Sequence, residues 1–139
     1  PALLAAARAA GAEAVDLGVV RDEESDLEQR LLDACARCDV VISSGGVSMG
    51  RKDLLKGILG RHGNLLFGRL CMKPGKPTTL AVLPPAAEGA SSTLVFALPG
   101  NPVSALVTFE LLVAPAIRRL AGSPWPACQA PLLSVRLAH

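Results

Sequence analysis

The chain has 139 residues, 50% of them hydrophobic and 19% charged, with a net charge of +2, which is enough apolar material for one domain around one core. So mild a charge, with only 3% aromatic residues for bases to stack on, excludes a nucleic-acid surface. Apolar runs stop after about five to ten residues, far short of the roughly 20 that cross a bilayer, and no basic segment precedes the apolar start, so neither a span nor a signal peptide is predicted and a cytoplasmic protein is expected.

Taken in order, Ala2 to Ala10 consists of helix formers and Gly11 suits the position after a helix end. Ala14 to Val20 reads as a strand, and Arg21 to Glu24 as a charged loop. Ser25 and Glu28 are spaced as a capping box, opening a helix whose apolar stripe is Leu27, Leu31, Leu32, Cys35 and Cys38. Cys35 and Cys38 form a C-x-x-C, but no second pair accompanies them and His62 and His139 are isolated, so they read as core thiols of a reducing compartment.

Val40 to Ser43 is a buried strand that runs into Ser44-Gly45-Gly46-Val47-Ser48-Met49-Gly50, and a helix is expected from Lys52 to Leu59. Strand, glycine loop and helix start are the construction that holds phosphate-like anions, and Ser43, Ser44 and Ser48 add hydroxyls. Leu65 to Met72 and Thr78 to Leu83 are strand-like, and between them lies Lys73-Pro74-Gly75-Lys76-Pro77, whose prolines stiffen the turn carrying two lysines. Pro84 to Ser92 is a surface connection.

A final strand, Thr93 to Leu98, opens into Pro99-Gly100-Asn101-Pro102-Val103-Ser104. Asn101 is a good cap and Pro102 fits the first helical position, so the amides of Val103, Ser104 and Ala105 are expected to face whatever lies above the strand. The helix should run from Pro102 to about Ala121, kinked or broken at Pro115, with Gly122 ending it. Alternating helices and strands predict a three-layer α/β/α domain with a mainly parallel sheet over residues 1–122. Residues 123–139 read as an exit segment into a missing C-terminal β domain, with a further strand expected from Leu132 to Leu137.

Three of these stretches carry a resemblance: Ser43 to Gly50 followed by Asp53, Met72 to Pro77, and Leu98 to Ser104. In this order they are similar to the molybdopterin molybdenumtransferase family, which includes the bacterial MoeA proteins and the E domain of gephyrin. The resemblance implies a molybdopterin-binding domain of MoaB/Mog type whose full-length relatives insert molybdate into adenylylated molybdopterin with Mg²⁺, releasing AMP. It implies catalytic roles for Asp53, Lys73 and Lys76. Substrate contacts are implied at Ser43, Ser44, Gly45, Gly46, Val47, Ser48 and Gly50, at Pro74, Gly75 and Pro77, and at Pro99, Gly100, Asn101, Pro102 and Ser104. Asp53 and Asp22 are the implied oxygen ligands of Mg²⁺, the hard cation that prefers them. The implied partners are the pterin substrate and the adenylyltransferase protein or domain that supplies it, with a homodimer as the full-length assembly.

Related readings are a molybdopterin adenylyltransferase of the same fold, whose glycine loop usually runs Thr-Gly-Gly-Thr-Gly, and a gephyrin-like scaffold. The family's Thr-Gly-Asp-Glu strand before the first helix has no match here. The 139 residues alone are therefore expected to lack the first strand of the sheet, to expose an unprotected edge and to be inactive.

Overall fold

The structure is a computed structural model and describes residues 1–21, 23–45, 54–131 and 134. Four strands, β1 (Val40–Ser44), β2 (Asn64–Phe67), β3 (Thr79–Leu83) and β4 (Thr93–Leu98), form one sheet in the order β1-β4-β3-β2. Helices α1 (Ala2–Ala9), α2 (Glu24–Cys35), α3 (Leu54–His62), α4 (Pro102–Thr108), α5 (Ala114–Leu120) and α6 (Trp125–Cys128) accompany it, with a π-helical segment, Phe109–Val113, between α4 and α5.

The α/β/α layering follows from β4, whose residues are buried on alternate faces. Val95 and Ala97 join Val41, Ala81 and Leu83 in a core closed by Leu31 and Ala34 of α2 and by Leu55, Ile58 and Leu59 of α3. Phe96 and Leu98 point the other way, into a second core with Ala7 of α1, Phe109 and Val113 of the π segment, and Ala114 and Ile117 of α5. A strand covered on both sides has no polar face to expose, which is why Leu94 to Leu98 reads as an unbroken apolar run.

The sheet is mixed, where the alternation of elements predicts a mainly parallel one. Only β1 and β4 pair parallel; β2 with β3 and β3 with β4 pair antiparallel. A parallel return needs a crossover of about a dozen residues, usually a helix, whereas residues 68–78 and 84–92 hold only turns between their strands. The β2 pairing shifts register between Leu65 and Phe67, so that strand ends at Phe67 and does not continue to Met72.

Four further expectations change. Residues 14–20 form no strand: the Asp16 carboxylate accepts a bond from the Gly18 amide at 2.8 Å and Gly18 takes φ +74°, a turn that interrupts extension and leaves Val19 98% exposed. Helix α2 begins one residue before Ser25 without a side-chain cap, because Glu28 is drawn instead to Arg61 and His62 of α3. Helix α3 runs through Gly60 to His62. Where a kink or break is expected at Pro115, the long helix changes pitch: Pro115 has no N–H for the Leu111 carbonyl, and the wider π turn just before it takes up the mismatch. Leu132 to Leu137 falls, apart from position 134, outside the described residues. Before it, α6 lies on α5, with Cys128 buried and its carbonyl accepting from Arg118 at 3.3 Å.

Candidate functional site

Sheet register places the three singled-out stretches at one end of the molecule. Ser44 stands beside Leu98 at the carboxyl ends of β1 and β4, and because β3 runs antiparallel, its first residue, Thr79, lies beside Ala97 at the same end. The ladder continues one step past the strands, the Gly45 amide donating to the Leu98 carbonyl at 3.1 Å. Gly45 takes φ +94°, a conformation that favours glycine. Gly100 lies against it so closely that a Cβ on Gly100 would sit 3.5 Å from the Gly45 Cα. The first and third stretches thus touch backbone to backbone.

The second stretch is anchored to α4. Gly75 is buried at φ +114°, and a Cβ there would fall 2.6 Å from Cγ2 of Thr108 and 2.8 Å from Cε of Met72. Thr78 donates its hydroxyl to the Gly75 carbonyl at 2.6 Å, and the Leu70 amide donates to the Lys76 carbonyl at 2.9 Å. The Lys73–Pro74 peptide is cis. Held this way, the turn keeps Lys73, Pro74 and Lys76 exposed while Pro77 is half-buried.

At the third stretch Asn101 caps α4 as expected, with a consequence opposite to the one expected. Its Oδ1 accepts from the amides of Val103 at 3.0 Å and Ser104 at 3.2 Å, and its carbonyl accepts from Ala105 at 2.9 Å. These amides are therefore spent inside the helix, and Pro102 has none. What remains toward solvent is the amide nitrogen of Asn101, with Gly100 and Pro102 exposed, Ser104 half-buried and Pro99 buried beneath.

Gly46, Val47, Ser48, Gly50, Asp53 and Asp22 lie outside the described residues. Among the described residues no cluster of three or more His, Cys, Asp or Glu side chains could hold a metal ion.

Sequence reasoning missed a layer of threonines beneath the loops, which Ser43, named from the sequence, joins. Thr78, Thr79 and Thr108 are fully buried. The hydroxyls of Ser43 and Thr79 have no hydrogen-bond partner and flank Ala97 on the α2/α3 face of the sheet. Thr108 bonds the Ser104 carbonyl at 2.8 Å and the Ala105 carbonyl at 3.1 Å. For Thr108 the available signal was a polar residue standing where the helical period requires an apolar one.

An open cleft of about 490 Å³ lined by His62, Asn64, Val82, Pro84 and Ser92 opens at the opposite end of the sheet. It lies beside a charged cluster in which Arg61 reaches Glu24 at 2.7 Å and Glu28 at 3.2 Å, and His62 contacts Glu28. The hydrogen bonds from His62 and Arg61 hold the Glu28 carboxyl below its ordinary range. On α2, partial burial pushes the Cys35 thiol up to about 11, with a smaller contribution from Cys38.

A family described as probable molybdopterin binding domain matches residues 1–119. The chain belongs to this family. Gephyrin of Dictyostelium discoideum is 44% identical over 115 residues, which are 76% of this chain and 16% of that protein. Molybdopterin molybdenumtransferase of Haemophilus influenzae is 43% identical over 110 residues, 79% of this chain and 26% of that protein. The crystal structure of the molybdopterin biosynthesis moea protein from Pyrococcus horikosii superposes with a TM-score of 0.73 at 35% identity, covering 87% of this chain and 28% of that one. This molybdopterin-binding domain therefore spans about a quarter or less of the relatives it matches. None of its described helices is long and apolar enough to cross a membrane.

Proposed function

We propose that the three loops at the carboxyl end of β1 and β4 bind molybdate and adenylylated molybdopterin, in a molybdopterin molybdotransferase that inserts molybdate into the pterin and releases AMP. The carrying observation is their convergence: stretches about 30 and 25 residues apart in the chain meet beyond the carboxyl ends of β1 and β4, where α/β folds place ligands. The relatives' names supply the chemistry, since molybdate and the pterin phosphate are both oxyanions.

In this reading Lys73 and Lys76 hold oxyanion charge through N⁺–H···O⁻ bonds, on a turn whose backbone is already fixed, so little ordering cost accompanies binding. The exposed hydroxyl of Ser44 and the side-chain nitrogen of Asn101 orient the ligand, and Gly45 and Gly100 let it approach the backbone. Phosphate leaving as AMP carries charge that the same lysines stabilise. Asp53 and Asp22 would hold Mg²⁺, which would supply positive charge to offset that of the phosphate. The protein or domain that adenylylates molybdopterin is the partner that delivers substrate, with a cytoplasmic homodimer as the working assembly.

The test is AMP release by the full polypeptide from adenylylated molybdopterin. AMP should appear only when molybdate is added; release independent of molybdate, or none, would overturn the assignment.

A further inference from the structure

Thr108 lies one helical turn below Ser104, carries no charge and is fully buried, so nothing in it points to a ligand. Its surroundings nevertheless tie two of the loops together. Its hydroxyl is fixed on α4 by the carbonyls of Ser104 and Ala105, which sets the side-chain rotamer. With that rotamer set, Cγ2 is pressed against Gly75, where a methyl group in place of a Cα hydrogen would bring carbons to 2.6 Å. Gly75 is the bend of the lysine turn, and its carbonyl is held by Thr78. The π-helical segment begins at the next residue, so the position of Thr108 along the helix is decided where the α ladder changes pitch.

We infer that Thr108 is a positioning residue: its methyl group sets where Lys73 and Lys76 stand relative to the Asn101 cap, so that the second and third loops act as one unit. This rests on the oxyanion reading proposed above. The hydroxyl fixes the rotamer and the methyl transmits it. Met72, the other contact of Gly75, ends in a flexible thioether and can yield, so the rigid contact is the threonine.

The experiment compares Thr108→Ser, which keeps the hydroxyl and removes the methyl, with Thr108→Val, which keeps the methyl and removes the hydroxyl. Both are made in the full polypeptide. Two quantities are read: affinity for sodium molybdate by calorimetry, and hydrogen exchange of the Leu70 amide, whose acceptor is the Lys76 carbonyl. Thr108→Ser should weaken molybdate binding and speed Leu70 exchange, each by about fourfold, the worth of one buried methyl group. Thr108→Val, whose branched Cβ holds one χ1 rotamer in a helix without the hydroxyl, should restore both to within about twofold of wild type, although its melting temperature falls with the lost hydroxyl bonds.

A role confined to stability would lower the melting temperature in both variants and leave binding alone. Wild-type molybdate affinity in Thr108→Ser, or equal losses in the two variants, would therefore overturn the inference. If wild type itself takes up no molybdate, the oxyanion reading fails, and unchanged Leu70 exchange in Thr108→Ser would separately dismiss the coupling.

Discussion

Replacing Gly75 by alanine tests the anchoring of the lysine turn, and the structure divides its cost into two parts. The first is conformational: φ is +114°, where a side chain is strained by about 1–3 kcal/mol. The second is steric. The new Cβ would lie 2.8 Å from the end of Met72, which can move, and 2.6 Å from the methyl of Thr108, which is buried and locked by two hydrogen bonds, so overpacking adds about 1–3 kcal/mol. Together they amount to about 2–6 kcal/mol, a large share of the stability of a small domain. Urea denaturation reads the sum, and two further variants separate its parts. Gly89→Ala has the same sign of φ, +82°, with no atom near its Cβ, so it should show the conformational part alone. Thr108→Ser in the Gly75→Ala background should return the steric part. A Gly75→Ala protein that unfolds within about 0.5 kcal/mol of wild type, the usual range of a neutral surface change, would refute the packing described for the turn.

Two other outcomes follow from the charges. Glu28 has its folded pKa lowered below the ordinary 4.5, so its contribution to holding α2 against α3 is present above that value and lost as pH falls through the lower folded value. Acid denaturation should thus show this component in wild type and not in Glu28→Gln; identical curves would contradict it. Cys35, with its thiol raised to about 11, should resist alkylation at neutral pH while the exposed Cys71 reacts, and mass spectrometry finding Cys35 modified first would refute the assigned burial.

The parts of the fold that were legible are those decided by local pattern. The runs Val40 to Ile42 and Leu94 to Leu98 announce strands because both faces of each are covered, and Asn101 with Pro102 announces a helix start. What failed depends on distant partners. Nothing near Glu28 shows that Arg61 and His62 will claim its carboxylate from a helix more than 30 residues away, and without that the Ser25 cap looks sound. The antiparallel pairs were more accessible, since residues 68–78 and 84–92 lack a crossover helix that could be read in advance. For the site, the sequence names the loops but not what their polar groups do. Asn101 was recognised as a cap, yet a cap that satisfies Val103 and Ser104 removes those amides from any ligand. The buried threonines escaped notice because their roles arise from contacts between elements: Thr108 with Gly75, and Thr93 with the carbonyls of Cys35 and Cys38.

On the proposed reading the three loops form one oxyanion site in which the lysines carry charge. Calorimetric titration of the full polypeptide with sodium molybdate at low salt, comparing wild type with Lys76→Ala, tests it most directly. Loss of a charge-assisted hydrogen bond of about 1.5–3 kcal/mol predicts an affinity roughly 10- to 150-fold weaker, with the melting temperature unchanged because the Lys76 side chain is exposed and its backbone carbonyl remains to accept from Leu70. A dissociation constant equal to that of wild type would make both lysines ordinary solvated residues of a surface turn and would contradict the account.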